Sequence, residues 1–575
     1  MSMKRLLAAL MLAAASLTPV PGTSAAPSSC PGQNETTTPT IVTGTFPKAL
    51  QGSYVLVPFD VPNGATRVRV KICFDQPDVG VGVPGVVSVR NTLDLGIYQP
   101  RAPSSAIYGE KEFRGWGGSS RPNVLITPED STTVGFKPGP IPAGRWAAEI
   151  GVAAVSGPTE GDADSAVAWR LEIFTNSLAS DLDQPWTPAL YDTTPARTAP
   201  GWYAGDFHVH AEHSNPADAT MREVFDYAFD DAGLDFITLS DYVTNRHWDE
   251  VGRFQADYPG HLIIRSSEVI TYRGHINNHA SLRYVDYRTG PIYQRNPNGS
   301  LTELRGRQKA SRIFNDIHGP RDGAGRSRGW TQVNHPWIFP SQVPTFANFC
   351  RGCSWGYTDA QTNWNTVDAY EIATGPGGTT DPEGHELGPN PFTVLAIAAY
   401  DRLRLMGYDI TAVGSSDSHR AGGAPPISTP AGTIPISLSA PIGEATTVVY
   451  ANELSESGIR DGVLAGHAYV KFFSPKGPDL RLTAKPAGGG PAVMMGDSLS
   501  TASARFAARV FNAAPSTAPR VLLVVRDGSP ILAFPVTGTD QTFTFTAAVP
   551  GDYRVQLMRG SAFEAFANPI TLRTP

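Results

Sequence analysis

The sequence predicts a multidomain chain in which an α/β region is flanked by two all-β modules. Three observations carry this. At 575 residues the chain exceeds what one ordinary core can hold, so two to four domains are expected. Its 57 Gly and 50 Pro exceed the usual combined share of about 12% and favour turn-rich β modules over helical bundles. Period-two alternation dominates both ends, whereas the middle mixes helical periodicity with short buried runs.

Taken in order, residues 1–26 read as a secretory signal peptide. Lys4 and Arg5 precede the apolar run Leu6–Leu17, which is too short to span a bilayer. Small residues around Thr23-Ser24-Ala25-Ala26 then supply a cleavage site. A secreted or periplasmic protein is expected, with no transmembrane segment left after cleavage. Export permits disulfides, and the chain has four cysteines. In Arg67–Phe74, Val68, Val70, Ile72 and Phe74 point one way, and Cys73 falls on the polar face with Arg69 and Lys71. A disulfide to Cys30 is expected there. Cys350-x-x-Cys353 allows a redox or zinc site or a small-loop disulfide. The disulfide is the expectation, because a structural zinc wants four ligands and no second pair exists.

Residues 30–195 alternate as Ser53–Val57, Arg67–Phe74 and Trp146–Val152 between Gly/Pro turns, which predicts a β-sandwich. A Pro/Thr-rich linker, Thr187–Pro200, follows. In 201–473, Met221, Val224, Phe225 and Ala228 fall at i, i+3, i+4 and i+7, so a helix is predicted up to Gly233. Phe236–Leu239 follows as a buried strand, and Pro391–Met406 reads as a helix ended by Gly407. Strand and helix signals alternate, as in α/β folds. In 475–575 the runs Arg505–Phe511, Val521–Val525, Thr542–Thr546 and Tyr553–Leu557 predict an immunoglobulin-like sandwich.

A net charge of −7 without a basic stripe argues against a nucleic-acid partner. The chemistry lies in polar clusters that each follow an apolar strand in the middle region. They are His208-Val209-His210, Ser240-Asp241, Glu268 with Gly274-His275-Ile276-Asn277, Asn334-His335-Pro336, and Ser416-Asp417-Ser418-His419. His-x-His on an extended segment puts both imidazoles on one side. Buried carboxylates and imidazoles at this density are costly without a cation. Functional groups of barrel-like α/β folds converge from strand carboxyl ends in this way.

At these residues the sequence resembles the PHP (polymerase and histidinol phosphatase) metallohydrolase superfamily, and within it the secreted carbaryl-hydrolase-like CehA/McbA branch. The resemblance runs from about Trp202 to Phe473, including Thr446–Ala451 and Leu464–Val470. It implies a distorted (β/α)7 barrel with two divalent metal ions, Zn, Mn or Fe. His208, His210, Glu268 and Asp417 would form one metal site. Glu268 would bridge to a second, held by His275 and His335, with His279 as the alternative to His275. His419 would approach the second metal or a third. The family commonly has Asp-His where this chain has Asp241-Tyr242, which removes one ligand for a third metal; His213 and His247 are candidates to replace it.

The implied activity is hydrolysis of a small-molecule ester by metal-activated water, with Asp417, His419 and Tyr242 in catalytic roles. Arg273, Arg420 and Asn334 are the candidate substrate contacts. A phosphoesterase is the leading expectation. A carboxyl- or carbamate-ester hydrolase is the second, and an envelope or carbohydrate-binding protein with a degenerate metal site the third. Specificity is expected in the loops Asp286–Ser311 and Phe339–Asn363.

Overall fold

The computed structural model describes residues 25–75, 91–102, 105, 107–157, 164–319, 329–338, 352–375, 391–423, 427–429, 432–434 and 440–575. Most of the signal-peptide segment and Cys350 lie outside them.

The first region packs two sheets face to face. One runs in the order Thr40–Pro47, Ala166–Asn176, Arg67–Phe74, Asn123–Ile126. The other contains Tyr54–Val61, Gly144–Ala154, Thr92–Tyr98 and Phe113–Trp116. Val68, Val70 and Ile72 enter the shared core with Val55, Val57, Leu95, Trp146 and Trp169, each large side chain adding about 1.5–3 kcal/mol. The polar face of Arg67–Phe74 is not left to solvent. The N-terminal segment lies over it, joined by the Cys30–Cys73 disulfide. Arg69 pairs with Glu35 at 2.8 Å, and Lys71 reaches Glu172 at 3.2 Å.

Asp286–Ser311, expected as a specificity loop, is largely part of this region. Ile292–Arg295 and Leu301–Arg305 form a hairpin around Asn298-Gly299. Its first strand adds in parallel to Tyr54–Val61. Arg288 is buried between Glu149 and Asp286, at 3.1 and 2.7 Å, and ties the hairpin base to the sandwich.

The middle region is a sheet in the order Thr411–Ser415, Ala369–Thr374, Trp330–Val333, Gly274–His279, Leu262–Thr271, Phe236–Leu239, Gly201–Val209, Thr446–Ala451, Ala468–Lys471. Gly201–Val209, Phe236–Leu239 and Leu262–Thr271 run parallel. So do Trp330–Val333, Ala369–Thr374 and Thr411–Ser415. Gly274–His279 runs against both of its neighbours, so all six parallel strands point the same way. The first and last touch again, at a parallel bridge between Val209 and Ser418.

Strict alternation of strand and helix, as a (β/α)7 barrel requires, is not seen. Leu262–Thr271 and Gly274–His279 form a hairpin, and the α-helices described in this region are Met221–Asp226, Ser311–His318, Pro391–Leu405 and Glu456–Leu464. Met221–Asp226 starts at a Thr220/Glu223 capping box. Gly233 and Gly407 follow their helices with φ of +70° and +89°, a conformation that favours glycine. The linker is pinned rather than loose: the Tyr191 hydroxyl donates to the Ile263 carbonyl at 2.8 Å, and Arg197 pairs with Asp235 at 2.6 Å.

The last region again has two sheets over a common core that includes Leu482, Phe506, Leu522, Val555 and Leu557. One of them continues the middle sheet, because Ala468–Lys471 pairs with Ala562–Ala567. The pairing satisfies two strand edges that would otherwise be open. Among the described residues, no helix is long and apolar enough to cross a membrane.

Candidate metal centre

The six parallel strands deliver the expected side chains to one end of the sheet. His208 and His210 end Gly201–Val209. Glu268 stands in Leu262–Thr271, His335 follows Trp330–Val333, and Asp417 follows Thr411–Ser415. Two backbone bonds register the first and last strands: Asp417 N–H donates to His208 O and His210 N–H to Ser418 O, both at 2.9 Å. His335 and Asp417 have φ of +27° and +53°. That left-handed backbone costs on the order of 1–3 kcal/mol per residue and is characteristic of functional sites.

The side chains converge closely. His208 Nε2 lies 3.0 Å from His210 Nε2, 3.2 Å from Asp417 Oδ1 and 3.3 Å from Glu268 Oε1. His210 Nε2 is 3.1 Å from Asp417 Oδ1 and 3.7 Å from Glu268 Oε2. On the other side, Glu268 Oε1 lies 3.1 Å from His275 Nδ1 and 3.2 Å from His335 Nε2, and Asp417 Oδ2 is 3.9 Å from His335 Nε2. Both carboxylates therefore face two groups of imidazoles.

Four rings are anchored through their other nitrogen. His208 Nδ1 faces Glu371 Oε2 at 3.3 Å, His210 Nδ1 faces Ser214 Oγ at 2.9 Å, His335 Nδ1 faces the Cys353 carbonyl at 2.9 Å, and His419 Nδ1 faces Asp218 Oδ2 at 2.8 Å. Carboxylate and carbonyl partners require N–H at Nδ1. Ser214 donates its own hydroxyl to Asp241 at 2.6 Å, so it too accepts from His210. The Nε2 lone pairs of His208, His210 and His335 are thereby turned inward, the arrangement that outer partners impose on metal-binding histidines. Donors about 2.0–2.2 Å from one ion sit about 3.0–3.6 Å apart, which four of the five spacings among His208, His210, Glu268 and Asp417 fit, the fifth, His210 to Glu268, being 3.7 Å. A divalent cation suits this donor set.

The charges agree. Burial opposes ionisation of His208, but Asp417 and Glu268 outweigh it and hold the imidazole well above its usual range. Burial likewise opposes the charge on His335, yet Glu268 and Asp417 raise it to about 9. Glu268 is held well below the usual carboxylate range against its burial, by His208 and His275. Two carboxylates here demand positive charge close by.

His275 is brought to Glu268, whereas His279 is not: its Nδ1 faces Ser266 Oγ at 3.0 Å and its ring stacks on Trp330. Tyr242 Oη lies 3.0 Å from His419 Nε2, which is 3.8 Å from Asp417 Oδ1. Asn334 is buried and donates through Nδ2 to Glu268 Oε1 and Asn277 Oδ1, both at 2.9 Å. It orients the shared carboxylate. Arg273 has partners of its own. Its guanidinium donates to Gly356 O at 2.6 Å and Gln361 Oε1 at 3.0 Å and covers the Tyr357 ring, which commits it to the 356–361 turn. Arg420 is exposed directly after His419. His213 and His247 do not complete the centre and lie beyond Asp241. Cys353 approaches His275 and His335 but is disulfide-bonded, which removes it as a thiolate ligand.

Sequence patterning does not single out Glu371, Ser214 or Asp218. For Glu371 a signal exists, since it follows the buried Ala369-Tyr370 within a strand, the pattern that marks the other clusters. Beside His335 and Glu371 a slot is lined by Trp337, Ile338, Phe392 and Ala396.

No family model matches the chain, and no curated protein matches it. Among solved structures, a two-domain protein from Bacteroides vulgatus, described as containing a predicted PHP-like metal-dependent phosphoesterase, is similar over 68% of this chain and 98% of its own, at 15% identity and a TM-score of 0.31. A likeness of that size is too slight to assign a function, and the functional reading rests on the geometry of the centre.

Proposed function

We propose that the chain is an exported metal-dependent hydrolase of small esters, with phosphate esters as the first substrate class. One observation carries the reading: the anchored imidazoles present their free nitrogens to two carboxylates that each face both groups of rings. His208, His210, Glu268 and Asp417 would hold one divalent ion, and Glu268, His275 and His335 a second. Bound there, such a pair acidifies water and stabilises charge on an attacked ester.

The protein's own groups divide the remaining work. Asp417 lies between His208 and His210 and is held well below the usual carboxylate range by His208 and His210 against its burial, which suits a ligand better than a base. His419 is the better proton acceptor: Asp218 fixes its Nδ1–H, and its affinity for a proton is raised by Asp218 against burial. Burial holds the Tyr242 phenol well above its usual range, so it stays protonated and able to donate. Arg420 remains the candidate contact for an anionic oxygen.

We further read 201–473 as a PHP-like distorted barrel between units 30–195 and 475–575, entered after removal of a signal peptide. The apolar slot of Trp337, Ile338 and Phe392 supports a second reading, a carboxyl- or carbamate-ester hydrolase with an aromatic substituent. The test is hydrolysis of bis(p-nitrophenyl) phosphate, p-nitrophenyl phosphate, p-nitrophenyl acetate and 1-naphthyl N-methylcarbamate by manganese- or zinc-loaded protein. The highest kcat/KM is expected for a phosphate ester, with Arg420→Ala lowering it. A higher value for acetate or carbamate would select the second reading, and full activity after exhaustive chelation would overturn both.

A further inference from the structure

Behind His210 lies a second group of metal-ligating side chains. We propose that His213, Asp241 and His247 form an enclosed site for a divalent transition-metal ion, separate from the centre described above.

Asp241 uses one oxygen only. Its Oδ1 accepts from Ala211 N–H at 2.8 Å and from Ser214 Oγ at 2.6 Å, while the buried Oδ2 has no hydrogen-bond partner. His247 Nε2 faces two carbonyls, Ser266 O at 2.7 Å and Leu239 O at 3.2 Å. Carbonyls only accept, so the hydrogen is on Nε2 and Nδ1 offers a lone pair. That Nδ1 is buried, unpartnered and 3.8 Å from Asp241 Oδ2. His213 repeats the pattern: Nε2 faces Glu250 Oε1 at 3.4 Å, and the unpartnered Nδ1 lies 3.9 Å from Asp241 Oδ2. All three residues are at most 2% exposed.

Both imidazole Nδ1 atoms thus face Asp241 Oδ2, with no Lys or Arg paired to Asp241 among the described residues, although the three donor atoms do not all lie within 4.8 Å of one another. A buried acceptor left unmatched is costly, more so when charged. A water has two hydrogens for three acceptors, whereas one dication satisfies all three. Two donors on one ion stand at most about 4.2 Å apart at metal–ligand distances near 2.1 Å, so each imidazole is within reach of an ion shared with Asp241, and the two rings must close from beyond 4.8 Å for one ion to take all three. Two imidazoles and a carboxylate suit zinc or ferrous iron. Burial lowers His247 to about 4, which keeps it in the neutral, ligating form. The ion would clamp residues 211–214 to 241–247 and, through Asp241, Ser214 and His210 Nδ1, support a ligand of the other centre.

The full-length protein is purified, loaded with zinc and crystallised, and anomalous diffraction is recorded on both sides of the zinc edge. A peak bounded by His213, Asp241 and His247 is expected. By elemental analysis His247→Gln should lose one zinc per chain, and His208→Ala should leave that zinc in place. No anomalous peak at this position, or a wild-type zinc content in folded His247→Gln, overturns the proposal. If the variant does not fold, the map of the wild-type protein decides alone. Loss of zinc in His247→Gln but not in His208→Ala would keep this site and remove the hydrolase centre, so the two readings fail separately.

Discussion

Asn334→Ala tests whether the shared carboxylate must be held before metals bind. The side chain is buried and donates to Glu268 Oε1 at 2.9 Å, while its backbone N–H donates to the His275 carbonyl at 3.1 Å. Truncation removes a hydrogen bond to a charged acceptor, worth about 1.5–3 kcal/mol, and leaves the strand pairing intact. At 1.4 kcal/mol per tenfold, that corresponds to metal binding weaker by roughly 10- to 150-fold, in line with the loss usual for outer partners of metal ligands. The assay is competition for zinc or manganese against a chromophoric chelator, with circular dichroism to confirm folding and kinetics at saturating metal. Weaker metal binding with a nearly unchanged KM is expected. Unchanged metal affinity with a raised KM would refute the reasoning and return Asn334 to the substrate.

Tyr242→Phe should lower kcat by roughly 10²-fold or more with metal content unchanged, by ester kinetics and elemental analysis; loss of a metal equivalent would make the phenol a ligand. Cys30→Ser with Cys73→Ser opens a link across 43 residues and should cost about 4 kcal/mol in urea unfolding, while a change under about 1 kcal/mol would show the N-terminal segment held by its ion pairs alone. Glu444→Gln should flatten the pH dependence of stability. Burial raises that carboxyl from its ordinary range to about 7, so between about 4.5 and 7 the folded state binds more protons than the unfolded one. Stability then falls as pH rises through that window, by on the order of 1–2 kcal/mol once solvent screening of this half-buried group is allowed for. Equal wild-type and variant melting curves at pH 5 and pH 8 would contradict this.

The part of the centre legible in the sequence obeys a simple physical rule. An apolar run that ends in His, Glu or Asp places that group at a strand end, and such ends gather in a parallel sheet. His208, His210, His335 and Asp417 obey it, whereas Glu268 stands within Leu262–Thr271. The Cys73 face of Arg67–Phe74 was legible for a related reason, because alternation separated core from cover. The hairpin at 292–305 carried its own signal, Asn298-Gly299 between two short runs. Its pairing with Tyr54–Val61 could not be read, because contact across more than 200 positions leaves no local trace. The same non-locality hid that the last sheet continues the middle one through Tyr469 and Ala567.

The outer partners of the ligands were hidden for a different reason. Metal ligands have spacing rules because a few donors must fit one ion. Their partners need only offer an acceptor at the far side of a ring, and here these are a glutamate in a strand (Glu371), a serine on a turn (Ser214), a backbone carbonyl (Cys353) and an aspartate in a loop (Asp218). No motif unites them. Yet they set each tautomer, and a ring with the wrong tautomer presents N–H where an ion needs a lone pair. Arg273 shows the converse: a guanidinium beside the ligands in sequence reads as an anion contact, and in the structure it meets a turn carbonyl and a glutamine. Proximity along the chain brings the candidate donors into view because apolar runs carry them toward one end of the sheet. It does not give the partners of Arg273 and Asn334, because a side chain's partner is fixed by which strands are neighbours, and that order is a property of the whole sheet.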